Sequence, residues 1–233
     1  MRTIGISIPT YNRSHMTIES FKDVYDDERI QQITIVDDAS DLNKWEELQS
    51  LCKNLEKVKL VRNEKNLDCY GNKFMSICHS DMEWNILLDS DNIIDKSYID
   101  RLFEEEVWYN NIIYTPSFAK PAFDFRMYEN FIYKKSNVAQ YVDKSMFEVC
   151  LNACNYFVYK ECYTKVWDGS VDPVTSDSIY FMTKWFERGY GLFITPNLHY
   201  EHRLHDSSHY NGNVHRTPQG FHQSILHQLR SMT

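Results

Sequence analysis

Two aspartates separated by one residue, Asp89 and Asp91, directly follow the apolar run from Trp84 to Leu88. The run predicts a buried strand, which would place both carboxylates at the mouth of a sheet. Carboxylate oxygens are the ligands that Mg²⁺ and Mn²⁺ prefer, and these ions usually complete their shell with substrate phosphate. The triplet therefore predicts a divalent ion and a phosphorylated substrate, although an isolated D-x-D also occurs by chance in acidic loops.

Two further predicted strands also end in polar residues. Ile4 to Ile8 is followed by Thr10 to Arg13, and Ile33 to Val36 is followed by Asp37 and Asp38. Amphipathic stretches between the strands predict helices, the first with Ser14 as its N-cap. This β-α-β order with continuous apolar strands is typical of an α/β fold with a mainly parallel sheet and helices on both faces. Ligands bind at the carboxyl ends of such strands, so we expect the three strand exits to line one crevice.

Composition narrows the classes of partner. The chain has 233 residues, enough for one domain, with 42% apolar and 25% charged residues. A net charge of −8 without a basic stripe argues against a nucleic-acid partner.

A predicted strand that begins at Thr3 leaves no room for a signal peptide, and no apolar run is long enough to span a bilayer. We therefore expect a cytoplasmic protein without an integral membrane segment; the sequence does not predict its oligomeric state.

Four motifs occur in a family-like order and spacing. They are Ser7–Arg13 (SIPTYNR), Ile35–Ser40 (IVDDAS), Asn63–Lys73 (NEKNLDCYGNK) and Leu87–Asn92 (LLDSDN). Together they resemble the nucleotide-sugar domain of GT-A glycosyltransferases of family 2, strongly through about Ile99 and again over Thr175–Gly191. The resemblance implies a single GT-A domain over 1–233. Its residues 1–99 would bind a nucleotide sugar, and 100–233 would form the acceptor-binding half with a C-terminal metal-binding portion.

The resemblance also implies a donor site. Its residues would be Thr10, Tyr11, Asn12, Arg13 and Asp38 at the base and ribose, Asn66, Gly71, Asn72 and Lys73 at the ribose and diphosphate, and Asp89, Ser90 and Asp91 at the ribose and metal. Asp38 would accept a hydrogen bond from a uracil imide, so a UDP-sugar is the expected donor; the sequence does not distinguish it from a GDP- or dTDP-sugar. Asp91 would bind Mn²⁺ or Mg²⁺ directly, and Asp89 would face the ribose or the metal.

Two positions depart from the family pattern. Many relatives have glycine two residues after the asparagine that corresponds to Asn66, and this chain has Asp68 there. The residue before Asp177 is Ser176, where relatives often have a second acid. The approach of the backbone to the phosphate is therefore expected to differ.

Asp177 has two interpretations. It stands at the start of a predicted helix that stops at Gly189, so it suits an N-cap. By resemblance, it is instead the general base that deprotonates the acceptor hydroxyl in an inverting transfer.

The resemblance further implies that His202 or His205 binds the metal, and an imidazole ligand would favour Mn²⁺ over Mg²⁺.

Acceptor recognition is expected in the aromatic-rich middle of the chain. Aromatic rings stack on sugars, although most such rings belong to the core. Trp167 and Asp168, in the loop before Asp177, are the predicted acceptor-binding residues for a glycan or glycoconjugate. The sequence does not identify the sugar or the acceptor.

Two other classes of protein compete with a glycosyltransferase. A sugar-nucleotide nucleotidyltransferase would need a glycine-rich phosphate loop after the first strand, and Pro9 to Arg13 contain no glycine. A non-catalytic nucleotide- or carbohydrate-binding domain of the same fold would lose acids at the metal or base position, and Asp91 and Asp177 are both present. The residues therefore favour an enzyme.

Overall fold

A computed structural model of the chain describes residues 2–151, 155–203 and 216–233. The strands β1 to β10 are, in chain order, Ile4–Thr10, Ile30–Asp37, Val58–Arg62, Trp84–Leu87, Asn92–Ile93, Ile112–Lys120, Phe123–Asp124, Ile132–Lys134, Phe157–Tyr159 and Gly191–His202. The α-helices α1 to α9 in these ranges are Ser14–Phe21, Leu42–Cys52, Asp68–His79, Lys96–Phe103, Lys135–Val138, Phe147–Leu151, Lys160–Val166, Asp177–Glu187 and Phe221–Arg230.

The strands form one sheet in the order β3-β2-β1-β4-β9-β6-β10-β5, with β7 paired to β6 and β8 to β10. The longest ladders, β1 with β2, β2 with β3 and β6 with β10, are parallel. The short strand β9 is antiparallel to both β4 and β6, so β6 and β10 run in the same direction as β4. The predicted α/β fold with a mainly parallel sheet is confirmed, and the carboxyl ends of β1, β2, β4 and β10 share one edge.

Helices cover both faces of the sheet. Ile86 and Leu88 pack on one face with Phe21 of α1 and Tyr98 of α4, whereas Leu87 packs on the other with residues of α3, α7 and α8. Successive residues of a strand point to opposite faces, so a strand buried on both sides must be apolar throughout. This explains the continuous apolar runs of the sequence.

The predicted N-cap of the first helix is wrong. Arg13 is the N-cap residue of α1, and Ser14 is its first helical residue. The Ser14 hydroxyl donates instead to the carbonyl of Lys44, at 2.8 Å, which ties α1 to α2. The buried position of Ser14 favours this bond between the two helices. The preceding residue, Arg13, is partly exposed.

The sheet crosses the boundary expected at residue 99, because β1 to β5 precede it and β6 to β10 follow it. The assignment of donor and acceptor binding to the two halves stays a prediction. Within the described ranges, no helix has the length and apolar character required to cross a bilayer. The cytoplasmic location likewise stays a prediction.

Candidate functional site

The three polar strand exits meet at the shared sheet edge. The Asp38 N–H donates to the Thr10 carbonyl at 2.9 Å, which joins the loops after β1 and β2. Arg13 Nη1 lies 2.6 Å from Asp91 Oδ2, which joins the loop after β1 to the D-x-D loop after β4. Both side chains of this ion pair are mostly buried, so solvent screens it only in part. The loops that follow β1, β2 and β4 therefore meet, as the sequence predicts; that they line a binding crevice stays a prediction.

Arg203 holds the backbone of the D-x-D loop. Its Nε donates to the Asp91 carbonyl at 2.6 Å, and its Nη2 donates to the carbonyls of Met16 at 2.9 Å and Ser90 at 3.4 Å. A planar guanidinium presents several donors in fixed directions, so these bonds fix the loop against α1. The backbone around Asp91 is therefore positioned from the end of β10.

Lys73 of α3 lies between two carboxylates from different elements. Its Nζ is 2.8 Å from Asp177 Oδ2 and 3.7 Å from Asp89 Oδ1. The side chains of Lys73 and Asp177 are only 6% and 9% exposed. Asp177 is the first residue of α8, where the helix dipole stabilises negative charge. It is not the N-cap, because Ser176 occupies that position and makes no capping bond through its side chain.

Asp38 is buried and organises the neighbouring loop. Its Oδ1 accepts hydrogen bonds from the Leu67 N–H and from Asn63 Nδ2, both at 2.8 Å. Burial raises the pKa of Asp38, although these two bonds act in the opposite direction. Asn66 Nδ2 donates to the Asp38 carbonyl at 3.0 Å, and Asn72 Nδ2 donates to the Val36 carbonyl at 3.0 Å. Asn66 and Asn72 thus hold the loops that surround Asp38.

At the end of β1 and in the loop after it, Thr10 and Asn12 hold neighbouring groups by hydrogen bonds, and the Tyr11 ring is exposed. Thr10 is buried, and its hydroxyl lies 2.7 Å from the hydroxyl of Thr17. Asn12 has a φ of 56°, and its Oδ1 accepts a hydrogen bond from the Asp41 N–H at 2.9 Å. Tyr11 is 47% exposed. Of these residues, Tyr11 presents the free aromatic surface.

The departure at Asp68 has a structural explanation. Asp68 has a φ of 57°, in the left-handed region that favours glycine and that aspartate tolerates. Asn66 Oδ1 accepts from the Asp68 N–H at 2.9 Å, and Arg216 Nη2 donates to the Asp68 carboxylate at 2.8 Å. Gly71 is needed for packing, because a Cβ there would lie 2.9 Å from the Cβ of Leu67.

Trp167 and Asp168 lie beside the same two helices as Lys73 and Asp177. The Trp167 ring stacks on Phe74 of α3 with a centroid distance of 4.1 Å and on Tyr70 at 5.6 Å. Asp168 accepts a hydrogen bond from the hydroxyl of Tyr180 of α8 at 3.1 Å. The predicted acceptor residues are therefore neighbours of the candidate base.

The predicted metal ligands come from the loop after β4 and from β10. His202 pairs with Asn92 in the ladder of β10 and β5, one residue from Asp91, and its buried Nδ1 has no hydrogen-bond partner among the described residues. In the described ranges, however, no three His, Cys, Asp or Glu side chains converge as a metal site. His205 lies outside the described residues. The carboxylates of Asp89 and Asp91 have the hard oxygen atoms that fit Mn²⁺ or Mg²⁺, and such an ion would take its other ligands from a substrate.

Sequence reasoning missed two residues of the site. Asn63 Nδ2 donates to Asp38, and Cys69 Sγ lies 3.7 Å from Asp177 Oδ2. Asn63 lies within a family-like motif, so its position was a usable signal. Arg203 was expected from the sequence to steady the diphosphate, and that role stays a prediction. Its partners in the structure are the Glu19 carboxylate and backbone carbonyls, and a sequence does not mark carbonyl partners.

Comparisons with known proteins agree with this geometry. A sequence model described as Glycosyl transferase family 2 matches residues 6–153, more than half of the chain. The match extends past residue 99 and ends before Asp177. No curated protein matches the chain.

Solved structures with the same fold include two complexes with nucleotide sugars. S. aureus TarS 1-349 in complex with UDP-GlcNAc has a TM-score of 0.65 and 13% identity, over 90% of this chain and 60% of that chain. Mannosyltransferase PcManGT from Pyrobaculum calidifontis, in complex with GDP-Man and Mn²⁺, has a TM-score of 0.65 and 13% identity, over 99% of this chain and 70% of that chain. The chain thus spans about 60% of the TarS fragment. At this identity the similarity shows the fold.

Proposed function

The chain belongs to glycosyl transferase family 2, and we propose that it is an inverting, metal-dependent enzyme that moves a sugar from a UDP-sugar to a hydroxyl of a glycan or glycoconjugate. The observation that carries this proposal is the position of Lys73. Its buried ammonium lies 2.8 Å from Asp177 and 3.7 Å from Asp89, so the candidate base and the D-x-D loop lie on either side of one ammonium group. A transferase needs this proximity, because the sugar must contact the leaving diphosphate and the attacking hydroxyl together.

The donor base is proposed to lie between Tyr11 and Asp38. Asp38 Oδ1 already accepts two hydrogen bonds, whereas its Oδ2 makes none with the described residues. Oδ2 is thus available to accept the imide N–H of uracil. The exposed ring of Tyr11 offers a face on which the base stacks. The choice of a UDP-sugar over the GDP-sugar of the mannosyltransferase complex rests on the resemblance, because guanine also presents an N–H to a carboxylate.

Asp38→Asn is expected to weaken UDP binding by roughly 5–150-fold, the effect of leaving one buried donor unpaired at about 1–3 kcal/mol. The amide oxygen can keep both bonds of Oδ1, to Leu67 and Asn63. The amide nitrogen then replaces Oδ2 and opposes the imide N–H, donor against donor. Calorimetric titration with UDP measures the loss, and urea denaturation checks that the free energy of unfolding changes little.

Asp38→Ala is the matched comparison, because it removes both sets of bonds and should also destabilise the fold. Unchanged UDP affinity in a folded Asp38→Asn protein would restrict Asp38 to its structural role with Leu67 and Asn63.

The charges of the crevice support the need for a divalent ion. Three carboxylates, Asp89, Asp91 and Asp177, face two cations, Arg13 and Lys73. These five groups together carry one excess negative charge. A bound diphosphate would add about two more negative charges at neutral pH. Asp89 and Asp91 would hold Mn²⁺ or Mg²⁺ with the diphosphate, and His202 is the nearby imidazole. When bound, the metal stabilises the charge of the leaving diphosphate as a Lewis acid.

Asp177 is proposed to accept the proton of the acceptor hydroxyl as its oxygen attacks the anomeric carbon. The attack comes from the side opposite the diphosphate, which inverts the configuration of that carbon. Trp167 and Asp168, beside Tyr70 and Tyr180, would position the acceptor against this carboxylate. The donor residues then come from 1–99 and the acceptor residues from 100–233.

A thermal-shift screen of UDP-, GDP- and dTDP-sugars, each with and without Mn²⁺, tests the proposal directly. A ligand that binds only the native state stabilises it, by about 2.7 kcal/mol at a concentration of 100 Kd. We expect the largest rise in Tm with a UDP-sugar and Mn²⁺. Absence of any rise with all three donors would reject a nucleotide-sugar site.

Release of free UDP from the donor separates the competing classes of protein. A glycosyltransferase releases UDP by transfer or slow hydrolysis, and a non-catalytic binding domain gives a thermal shift without release. A nucleotidyltransferase would release pyrophosphate from a nucleoside triphosphate instead. We expect UDP release that requires both Mn²⁺ and Asp177.

A further inference from the structure

The Asp177 carboxylate is restrained on one oxygen. Among the described residues, its side chain accepts hydrogen bonds from Lys73 Nζ at 2.8 Å and from Cys69 Sγ at 3.7 Å, and both bonds go to Oδ2. The bond from Lys73 is short and charge-assisted, whereas a thiol is a weak donor. Oδ1 makes no such bond with the described residues. Lys73 therefore restrains the orientation of the Asp177 carboxylate through Oδ2.

Lys73 is itself fixed by three groups from two elements, α8 and the D-x-D loop. Its Nζ contacts Asp177 Oδ2, the Ser178 hydroxyl at 3.5 Å and Asp89 Oδ1 at 3.7 Å. The Lys73 side chain is only 6% exposed, and a buried ammonium is stable only when it is paired. The position of the ammonium thus depends on α8 and on the D-x-D loop together.

From this geometry we propose that Lys73 is a positioning residue for catalysis: it holds Asp177 Oδ2 so that Oδ1 takes the acceptor proton, and it couples that orientation to the D-x-D loop through Asp89. This inference rests on the proposed function. The resemblance had placed Lys73 at the ribose and diphosphate, where its loss would weaken donor binding. Its shortest contact among the described residues instead predicts that its loss slows turnover.

Lys73→Met is expected to lower kcat by roughly 10²-fold, the usual effect of misplacing a reacting group by about 1 Å, with a much smaller change in the KM for the donor. Lys73→Arg keeps the charge and a donor at the same carboxylate, so it should recover part of kcat. Steady-state transfer with UDP-sugar and Mn²⁺ measures both constants. A rise in donor KM at unchanged kcat would overturn the inference and return Lys73 to the donor site.

The double variant Lys73→Met/Asp177→Asn completes the test. If Lys73 acts through Asp177, the residual rate of Asp177→Asn should not fall further when Lys73 is also replaced. Losses that multiply would show that Lys73 acts separately from Asp177. The double variant removes both members of the buried pair, so it should fold even if Lys73→Met alone does not.

Lys160 provides the matched control. This lysine of α7 donates to the carbonyls of Cys78 at 2.8 Å and Ser80 at 2.5 Å, away from the carboxylates of the crevice. Lys160→Met should lower Tm and leave kcat unchanged. If it lowers kcat as much as Lys73→Met does, loss of stability explains both effects and the inference fails. A parent protein that shows no transfer at all would instead reject the proposed function.

Discussion

Asp177→Asn is expected to lower the rate of sugar transfer by roughly 10²–10⁴-fold, the usual contribution of a general base. The amide has nearly the same size but cannot accept the proton of the acceptor hydroxyl. Donor affinity should change little, because the proposed base and diphosphate sites lie on opposite sides of the anomeric carbon. Transfer assays measure the rate, and calorimetric titration with UDP and Mn²⁺ measures the affinity.

The stability of Asp177→Ala separates a capping role from the buried ion pair with Lys73. A capping role predicts a loss of about 1 kcal/mol for Asp177→Ala. The structure predicts a larger loss, up to about 3–5 kcal/mol, because the variant removes one partner of a buried ion pair with Lys73. The nearby Asp89 reduces that loss by remaining as a second partner for the ammonium.

Asp172→Asn is the control for the base. Its carboxylate accepts a hydrogen bond from the Val174 N–H at 3.0 Å, a local turn contact before α8. We expect this variant to keep its activity. A fully active Asp177→Asn enzyme together with an inactive Asp172→Asn enzyme would reverse the assignment.

The fold was predictable because its first half follows local rules. Continuous apolar runs such as Ile4 to Ile8 and Trp84 to Leu88 become strands covered on both faces, and short connections force the parallel β-α-β order. The convergence of Thr10, Asp38 and Asp91 follows from that topology alone. The second half was less predictable, because β9 is three residues long and reverses direction between β4 and β6.

The ion pairs of the site could not be predicted from sequence. Arg13 and Asp91 are 78 residues apart, and Lys73 and Asp177 are 104 residues apart. No local pattern indicates which cation approaches which carboxylate, because that choice depends on the rotation of α3 against α8. The resemblance identified the residues of the crevice, and only the three-dimensional arrangement paired them.

Asp68 shows the limit of a motif in another way. The sequence marks it as a substitution for a glycine of the family pattern, which suggests an altered loop. In the structure Asp68 lies in the left-handed region that favours glycine, with φ at 57°, and forms a salt bridge to Arg216 at 2.8 Å. The aspartate therefore adopts a glycine-like backbone conformation, and its carboxylate connects the loop to the segment before α9.

Asp91→Ala is expected to abolish sugar transfer and to remove the part of UDP binding that depends on Mn²⁺. The diphosphate would face the remaining carboxylates of the crevice without a cation held by Asp91, and that cation is worth several kcal/mol to the leaving group. UDP affinity measured in Mn²⁺ and in EDTA should differ in the parent protein and coincide in the variant. The part that remains in EDTA would come from contacts such as those of Tyr11 and Asp38.

Asp95→Ala is the matched control for this experiment. Asp95 lies four residues after Asp91, and its side chain caps α4 by accepting from the N–H groups of Ser97 and Tyr98. Its loss should cost about 1 kcal/mol of stability and leave the metal dependence of UDP binding intact. Asp91→Ala also deprives Arg13 of its 2.6 Å partner, so the melting temperature of both variants must be compared. If folded Asp91→Ala protein still binds UDP more tightly in Mn²⁺ than in EDTA, the ion is held elsewhere and the D-x-D assignment is wrong.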